Sequence, residues 1–179
     1  PWPVGLRLVL AGLVLVGAVA VSGACSSTIE VPAINPTPTG EVNPGQVVWH
    51  DLVTPDVNGA KEFYGDLFGW TFQTIEANGI EYAIAMIGPR PVAGFYRPED
   101  KSYTAAEWVQ YFSVEDVDAA AARVATAGGN LIGEPTDIPQ RGRVAVAEDR
   151  EGAAFGLLRS TTGDPSAGIA APHNDFLWN

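Results

Sequence analysis

Few side chains in this sequence could do chemistry. His50 and Asp51 stand together in an apolar run, and Glu81 opens a later one. Two carboxylates such as Asp51 and Glu81 could hold a hard cation or divide the work of acid and base. On so acidic a chain the plainer reading is two solvated rim carboxylates. Ser102 and Ser160 have no nearby histidine in sequence, and no glycine-rich phosphate loop follows a strand. Arg141-Gly142-Arg143 is a small basic spot that could meet an anion; such spots are more often solvated loops. Cys25 is the one cysteine, which excludes an internal disulfide and a four-cysteine zinc site. Ten Lys+Arg against 21 Asp+Glu give a formal net charge of -11. A groove for nucleic acid needs a basic surface, so no nucleic-acid partner is expected.

The elements that must position these residues follow from periodicity. Residues 46–53 read as a strand closed by Thr54-Pro55. Asp56 can cap a helix in which Val57, Ala60, Phe63, Tyr64, Leu67 and Phe68 recur at helical spacing, and Gly69 ends it. Strands are expected at 70–75, 81–87 and 92–97, with Asn78-Gly79 as the first hairpin turn. The same order then returns. A strand at 107–114 precedes a helix opened by Glu115 or Asp116, with Val117, Ala120, Ala121 and Val124 inward. Leu131-Ile132, 143–147 and 153–159 supply three more strands. Two β-α-β-β-β units make an internal repeat of about 60 residues. The fold class is α+β: two curved four-stranded sheets enclosing a cleft, with helices outside.

The flanks carry different signals. Arg7 precedes an uncharged apolar run, residues 8–21, too short for the roughly 20 residues of a bilayer-spanning helix. A cation, a short apolar run and small residues form the layout of a secretory signal. Ser22-Gly23-Ala24-Cys25 resembles a lipobox, in which Cys25 receives the lipid and becomes the mature N-terminus. Ser22 departs from that pattern, which usually has leucine there, and an uncleaved anchor helix is the alternative. Residues 1–25 are thus expected as a lipoprotein signal peptide. Residues 26–45, rich in Pro and Thr, are expected as an extended linker, and 46–160 as the domain. The expected location is the outer face of the cell membrane, through a lipid on Cys25.

From His50 to Trp70 the sequence reads HDLVTPDVNGAKEFYGDLFGW. This is similar to the opening of a module of the vicinal oxygen chelate superfamily, which groups glyoxalases, bleomycin resistance proteins and dioxygenases. FSVEDVDA from Phe112, the Ala127-Gly128-Gly129 turn and DREGAAFGLL from Asp149 match a second module. The resemblance covers roughly residues 46–160. It implies a divalent ion held on the cleft face, commonly by two His and two Glu, that binds neighbouring substrate oxygens.

The family register puts those ligand positions at Trp49 and Val109, seven residues before Asp56 and Asp116, and at Gly156 before the closing Leu157-Leu158. The matching strand of the first unit, 92–97, carries no acid or histidine. His50 is one residue off, and on a strand that points it to the opposite face. No metal and no other cofactor is therefore expected. The reading is a metal-independent binding domain for a small apolar or aromatic molecule, with a cleft lined by Trp49, Asp51, Trp108, Val109, Tyr111, Ala154 and Gly156. Some family members without metal hold drugs between aromatic rings. The rival is a metal-dependent lyase or dioxygenase of the family type, and a third possibility is a scaffold with a filled cleft.

Residues 161–174 read as a linker. Asp175-Phe-Leu-Trp178-Asn179 is then similar to Gln46-Val-Val-Trp49-His50, 129 residues earlier. This segment is expected either to start a second domain of the same kind or to pack back on the sheet. A second such domain or a second copy of the chain is thus among the expected partners.

Overall fold

A computed structural model describes residues 31–77, 80–98, 103–166 and 175–176. The segment up to and including Cys25, the Asn78-Gly79 turn and Trp178 lie outside these residues.

The first unit comprises β1 (Val47–Val53), α1 (Val57–Phe68), β2 (Thr71–Ala77), β3 (Ile80–Ile87) and β4 (Arg90–Tyr96). The second comprises β5 (Glu107–Ser113), α2 (Val117–Thr126), β6 (Asn130–Ile138), β7 (Gly142–Glu148) and β8 (Ala154–Ser160). Both helices begin with the same device. Asp56 accepts from the Gly59 amide and Asp116 from the Ala119 amide, each at 2.9 Å, which satisfies an N–H that the first turn cannot.

The strands form one curved sheet in the order β2-β3-β4-β1-β5-β8-β7-β6. Each unit closes through a parallel pair, β1 with β4 and β5 with β8, and an antiparallel β1/β5 pair joins the units. In that central ladder Trp49 faces Tyr111 and Asp51 faces Val109. The two units are thus related by a local twofold, and Gly94 opposite Asp51 corresponds to Gly156 opposite Tyr111.

Strand alternation sorts the side chains into two faces. Trp49, Val53, Tyr82, Ile84, Tyr96, Val109, Tyr111, Val144, Val146 and Leu158 pack into one cluster that spans both units on the cleft side. On the other face Leu52, Ala83, Ala85, Ala93 and Phe95 lie under α1, while Ala145, Ala147 and Leu157 lie under α2. Alanines on that face let the helix axes come close, and burial of both faces explains the near-continuous apolar runs of β1 and β4. A register irregularity between Val47 and Trp49 lets both Val48 and Trp49 join the cleft cluster.

Two expectations change. β6 is nine residues long and includes Pro135, where only Leu131-Ile132 read as strand. It is an edge strand with two register breaks against β7, a place that tolerates a residue without an N–H. Residues 31–45, expected as a free linker, pack on the domain. Val31 and Ile34 are buried in the cleft cluster. Fully buried Asp164, just past β8, accepts from the Asn43 amide at 2.6 Å and from the Ser113 hydroxyl. The Thr39 hydroxyl donates to the Asp164 carbonyl at 2.7 Å. Proline-rich composition suits a docked extended strap as well as a free tether, because neither is a helix nor a central strand. Farther along, Phe176 stacks on His50 at 3.7 Å between ring centroids, on the helix side of the sheet.

Candidate functional site

The cleft side of the sheet holds a cavity lined by Val31, Trp49, Asp51, Tyr82, Tyr96 and Tyr111 from the first strands and the strap. Residues 133–134, Ile138, Arg141, 144–146 and Leu158 complete its wall. It offers about 620 Å³ between its walls when the open mouth is included. Its enclosed part is about 50 Å³, room for a few waters at roughly 10 to 15 Å³ each or for one ring, and a larger flat body would extend into the open mouth.

Asp51 is the polar centre. One of its oxygens accepts from the Trp49 indole N–H at 2.8 Å and from the Tyr82 hydroxyl at 2.7 Å. Trp49 Nε1 lies 3.3 Å from the same hydroxyl, so the three form a closed triangle. All three residues are at least nine-tenths buried. Strand geometry makes this possible: Trp49 and Asp51 are two apart on β1 and share a face, and Tyr82 reaches over β4 from β3.

Gly94 is what lets Tyr82 cross. A Cβ there would sit 1.8 Å from the Tyr82 hydroxyl and 2.2 Å from Asp51 Oδ1. Its twofold mate Gly156 lies under Tyr111, and a Cβ would meet that ring at 2.1 Å.

Burial, and after it the Asp51 charge, pushes the hydroxyls of Tyr82, Tyr96 and Tyr111 well above the ordinary tyrosine value. The folded state therefore keeps these protons at a pH where the unfolded chain, titrating near 10, releases them. Their contribution to stability is complete below about pH 10 and is lost as pH rises above it. We expect the melting temperature to fall above that pH. Absorbance at 295 nm should show these three tyrosines ionising together with unfolding rather than before it.

Arg141 is the second polar feature. Its amide donates to the Ile138 carbonyl at 3.1 Å and its carbonyl accepts from the Thr161 amide at 3.2 Å, which pins a tight β6–β7 turn. Gln140 in that turn has a φ of 64°, an uncommon left-handed position for a residue with a side chain. The turn folds Arg141 inward until it is only 4% exposed, with its guanidinium carbon 3.9 Å from the centroid of the Trp49 ring. Arg143, two residues on, goes outward to Asp118 and Asp137. The basic spot is thus half solvated loop, as read from sequence, and half buried cleft wall.

Of the residues expected around the cleft, Trp49, Asp51 and Tyr111 line the cavity. Val109 is buried in the cluster beneath it, and Ala154 packs against that cluster from the side. Gly156 lies under Tyr111 and presents no side chain. Trp108 is a correction: it points to the helix side, where its indole N–H donates to Tyr64 at 3.1 Å, because it alternates with Val109. His50 is also on that face, T-shaped to Trp108. Tyr82, Tyr96 and Arg141 were missed. Alternation along β3 and β4 could have found the tyrosines; nothing local marks Arg141. Glu81 sits on β3 near Lys61 at 3.8 Å, away from Asp51's triangle.

The positions where the family resemblance implies metal ligands do not fit an ion. They are Trp49, Val109 and the paired glycines 94 and 156, and the space a carboxylate would need is filled by Tyr82 and Tyr111. Among the described residues no three His, Cys, Asp or Glu side chains gather to hold a metal.

A family model described as Glyoxalase/Bleomycin resistance protein/Dioxygenase superfamily matches residues 45–157. CFP32 of Mycobacterium tuberculosis (strain CDC 1551 / Oshkosh), which carries a provisional glyoxylase name, is 39% identical over 116 residues, 64% of this chain and 44% of that protein. The anthracycline biosynthesis protein DnrV of Streptomyces peucetius is 36% identical over 131 residues, 65% of this chain and 47% of that one. The chain thus spans about half the length of these relatives. A Streptomyces coelicolor methylmalonyl-CoA epimerase structure superposes with a TM-score of 0.52 at 20% identity, over 69% of this chain and all of the other. That likeness concerns the fold.

Proposed function

The chain belongs to the Glyoxalase/Bleomycin resistance protein/Dioxygenase superfamily, and from this we propose that it is a metal-independent member that binds a small, flat, largely apolar molecule in its cleft. One observation carries the reading: the ligand positions of the family are Trp49, Val109 and glycines, and the cavity they would have opened onto is walled by Trp49, Tyr82, Tyr96 and Tyr111. Aromatic walls with a few fixed polar groups favour stacking of a planar ring. Relatives named for anthracycline biosynthesis support a fused-ring class of ligand. The glyoxylase name of CFP32 supports the rival, a metal-dependent enzyme.

The experiment compares the two. 2-Naphthol should quench tryptophan fluorescence and raise the melting temperature by mass action. Trp49→Ala should weaken it by roughly 1 to 3 kcal/mol, the scale of one buried aromatic contact. A chelator should leave the melting temperature unchanged. One equivalent of metal co-purifying with the protein, or unfolding on chelation, would replace this reading with the enzyme.

We further propose that Cys25 carries a lipid that holds the domain at the outer face of the membrane. The support is the charged start, the short apolar run and the small residues before Cys25. Cys25→Ala should move the protein out of the membrane fraction or leave an uncleaved form; unchanged fractionation and mass would refute it.

A further inference from the structure

A buried guanidinium with nothing to bind is costly, because the charge leaves water without compensation. Arg141 is in that situation. Its Nε and Nη2 are buried and have no hydrogen-bond partner among the described residues. Those two atoms lie on one edge of the guanidinium plane, the edge that offers two parallel N–H groups to a carboxylate-like acceptor. Arg141 is part of the cavity wall, and this edge is packed within that wall, so an acceptor must enter the wall to meet it.

The other charged groups around it do not meet this need. Asp51 lines the same cavity, but it makes no ion pair with Arg141, and its Oδ1 is engaged by the Trp49 indole and the Tyr82 hydroxyl. Glu134 lines the cavity as well, but it lies solvent-exposed at the mouth. The guanidinium carbon lies 3.9 Å from the centroid of the Trp49 ring, a cation–π contact that uses none of the N–H groups as a hydrogen-bond donor to oxygen. A ring bound in the cleft beside Trp49 would bring its substituents near this edge.

We propose that the cleft selects an organic anion: a flat, apolar body bearing a carboxylate, or an equivalent anionic oxygen on a conjugated ring, with Arg141 as the group that receives it. This rests on the small-molecule reading of the cleft and names the chemical class of its ligand. The selection is not expected from the surface, since a chain of net charge -11 repels anions at long range. The discrimination arises inside, where low dielectric strengthens the pairing. The selected anion would give these two N–H groups the acceptors that they lack among the described residues, and a neutral analogue would accept from them more weakly.

The test uses 2-naphthoate and its neutral isostere 2-naphthamide, with binding read by calorimetry and tryptophan fluorescence. 2-Naphthoate should bind the wild-type protein at least tenfold more tightly. Arg141→Met should abolish that preference. Arg143→Met removes the same charge from an exposed site and should preserve it. The wild-type comparison stands without any variant, so a misfolded Arg141→Met does not leave the matter undecided. Equal affinity for the two probes, or a preference that survives in a folded Arg141→Met, overturns the anion inference and leaves the cleft reading intact. If neither probe nor 2-naphthol binds, the cleft reading itself fails and the inference falls with it.

Discussion

Asp51→Ala should destabilise the protein by roughly 2 to 5 kcal/mol, because it removes the acceptor of two buried donors, at about 1 to 3 kcal/mol each, and leaves the Trp49 N–H only its longer 3.3 Å contact with Tyr82. The donors are the Trp49 indole N–H and the Tyr82 hydroxyl, both of which point at one Asp51 oxygen. Neither can turn to water: Trp49 is 4% exposed and Tyr82 is 7% exposed. Asp51→Asn is the informative companion. Its amide oxygen can still accept from both donors, so it should retain most of the stability. It also removes the charge that helps hold the Tyr82, Tyr96 and Tyr111 hydroxyls protonated. Their alkaline transition should then move toward the ordinary tyrosine value. Urea unfolding with an unchanged slope would measure the first effect, and absorbance at 295 nm the second. If Asp51→Ala costs less than 1 kcal/mol, the triangle does not organise the cleft.

Gly156→Ala should cost about 3 kcal/mol, at the upper end of overpacking effects. The added Cβ would sit 2.1 Å from Tyr111 Cδ1 and 2.5 Å from Cε1, so it meets the body of a ring and not a flexible tip. The ring has little room to move away, since Tyr111 belongs to the buried cleft cluster and its strand is paired on both sides. The diagnostic is a double-mutant cycle with Tyr111→Ala. Removing the ring alone costs several kcal/mol through the cavity it leaves. In the double mutant the extra cost of Gly156→Ala should nearly vanish, giving a coupling energy of roughly 2 to 3 kcal/mol. Additive losses would mean that Gly156 is needed for its backbone and not for the space above it. The cycle also bears on the family's chemistry. Gly156 is where the resemblance places a metal-binding carboxylate, and a side chain returns there only if Tyr111 leaves.

The elements were legible because their signals are local. Asp56 and Asp116 cap helices through their own backbone neighbours, and the period of two along β1 and β5 assigns Trp49 and His50 to opposite faces. The β-α-β-β-β repeat follows from the same local rules applied twice, and the motifs between His50 and Trp70 carried the family resemblance. From the register of those motifs one could also read that Trp49, Val109 and Gly156 stand where ligands would be. Trp108 shows the limit even of local reasoning, since the alternation that places Val109 in the cleft must send Trp108 to the helices.

What only the tertiary structure decided depends on contacts between residues far apart in the chain. Tyr82 is 31 residues from Asp51, yet the two are bonded because β3 and β1 flank the same glycine on β4. Arg141 reads as one of two solvated arginines in a turn. It is buried because that turn is pinned to Thr161 and folds back over Trp49, 92 positions earlier. Residues 31–45 read as a tether because proline-rich composition reports the backbone's extension and not its neighbours. Asp164, 121 residues from Asn43, makes the segment a strap docked on the domain. Sequence alone thus determined the scaffold and the displaced metal positions, since both follow from backbone periodicity. The polar interior of the cleft was decided by packing, because a buried charge is defined by what surrounds it and no local pattern records that.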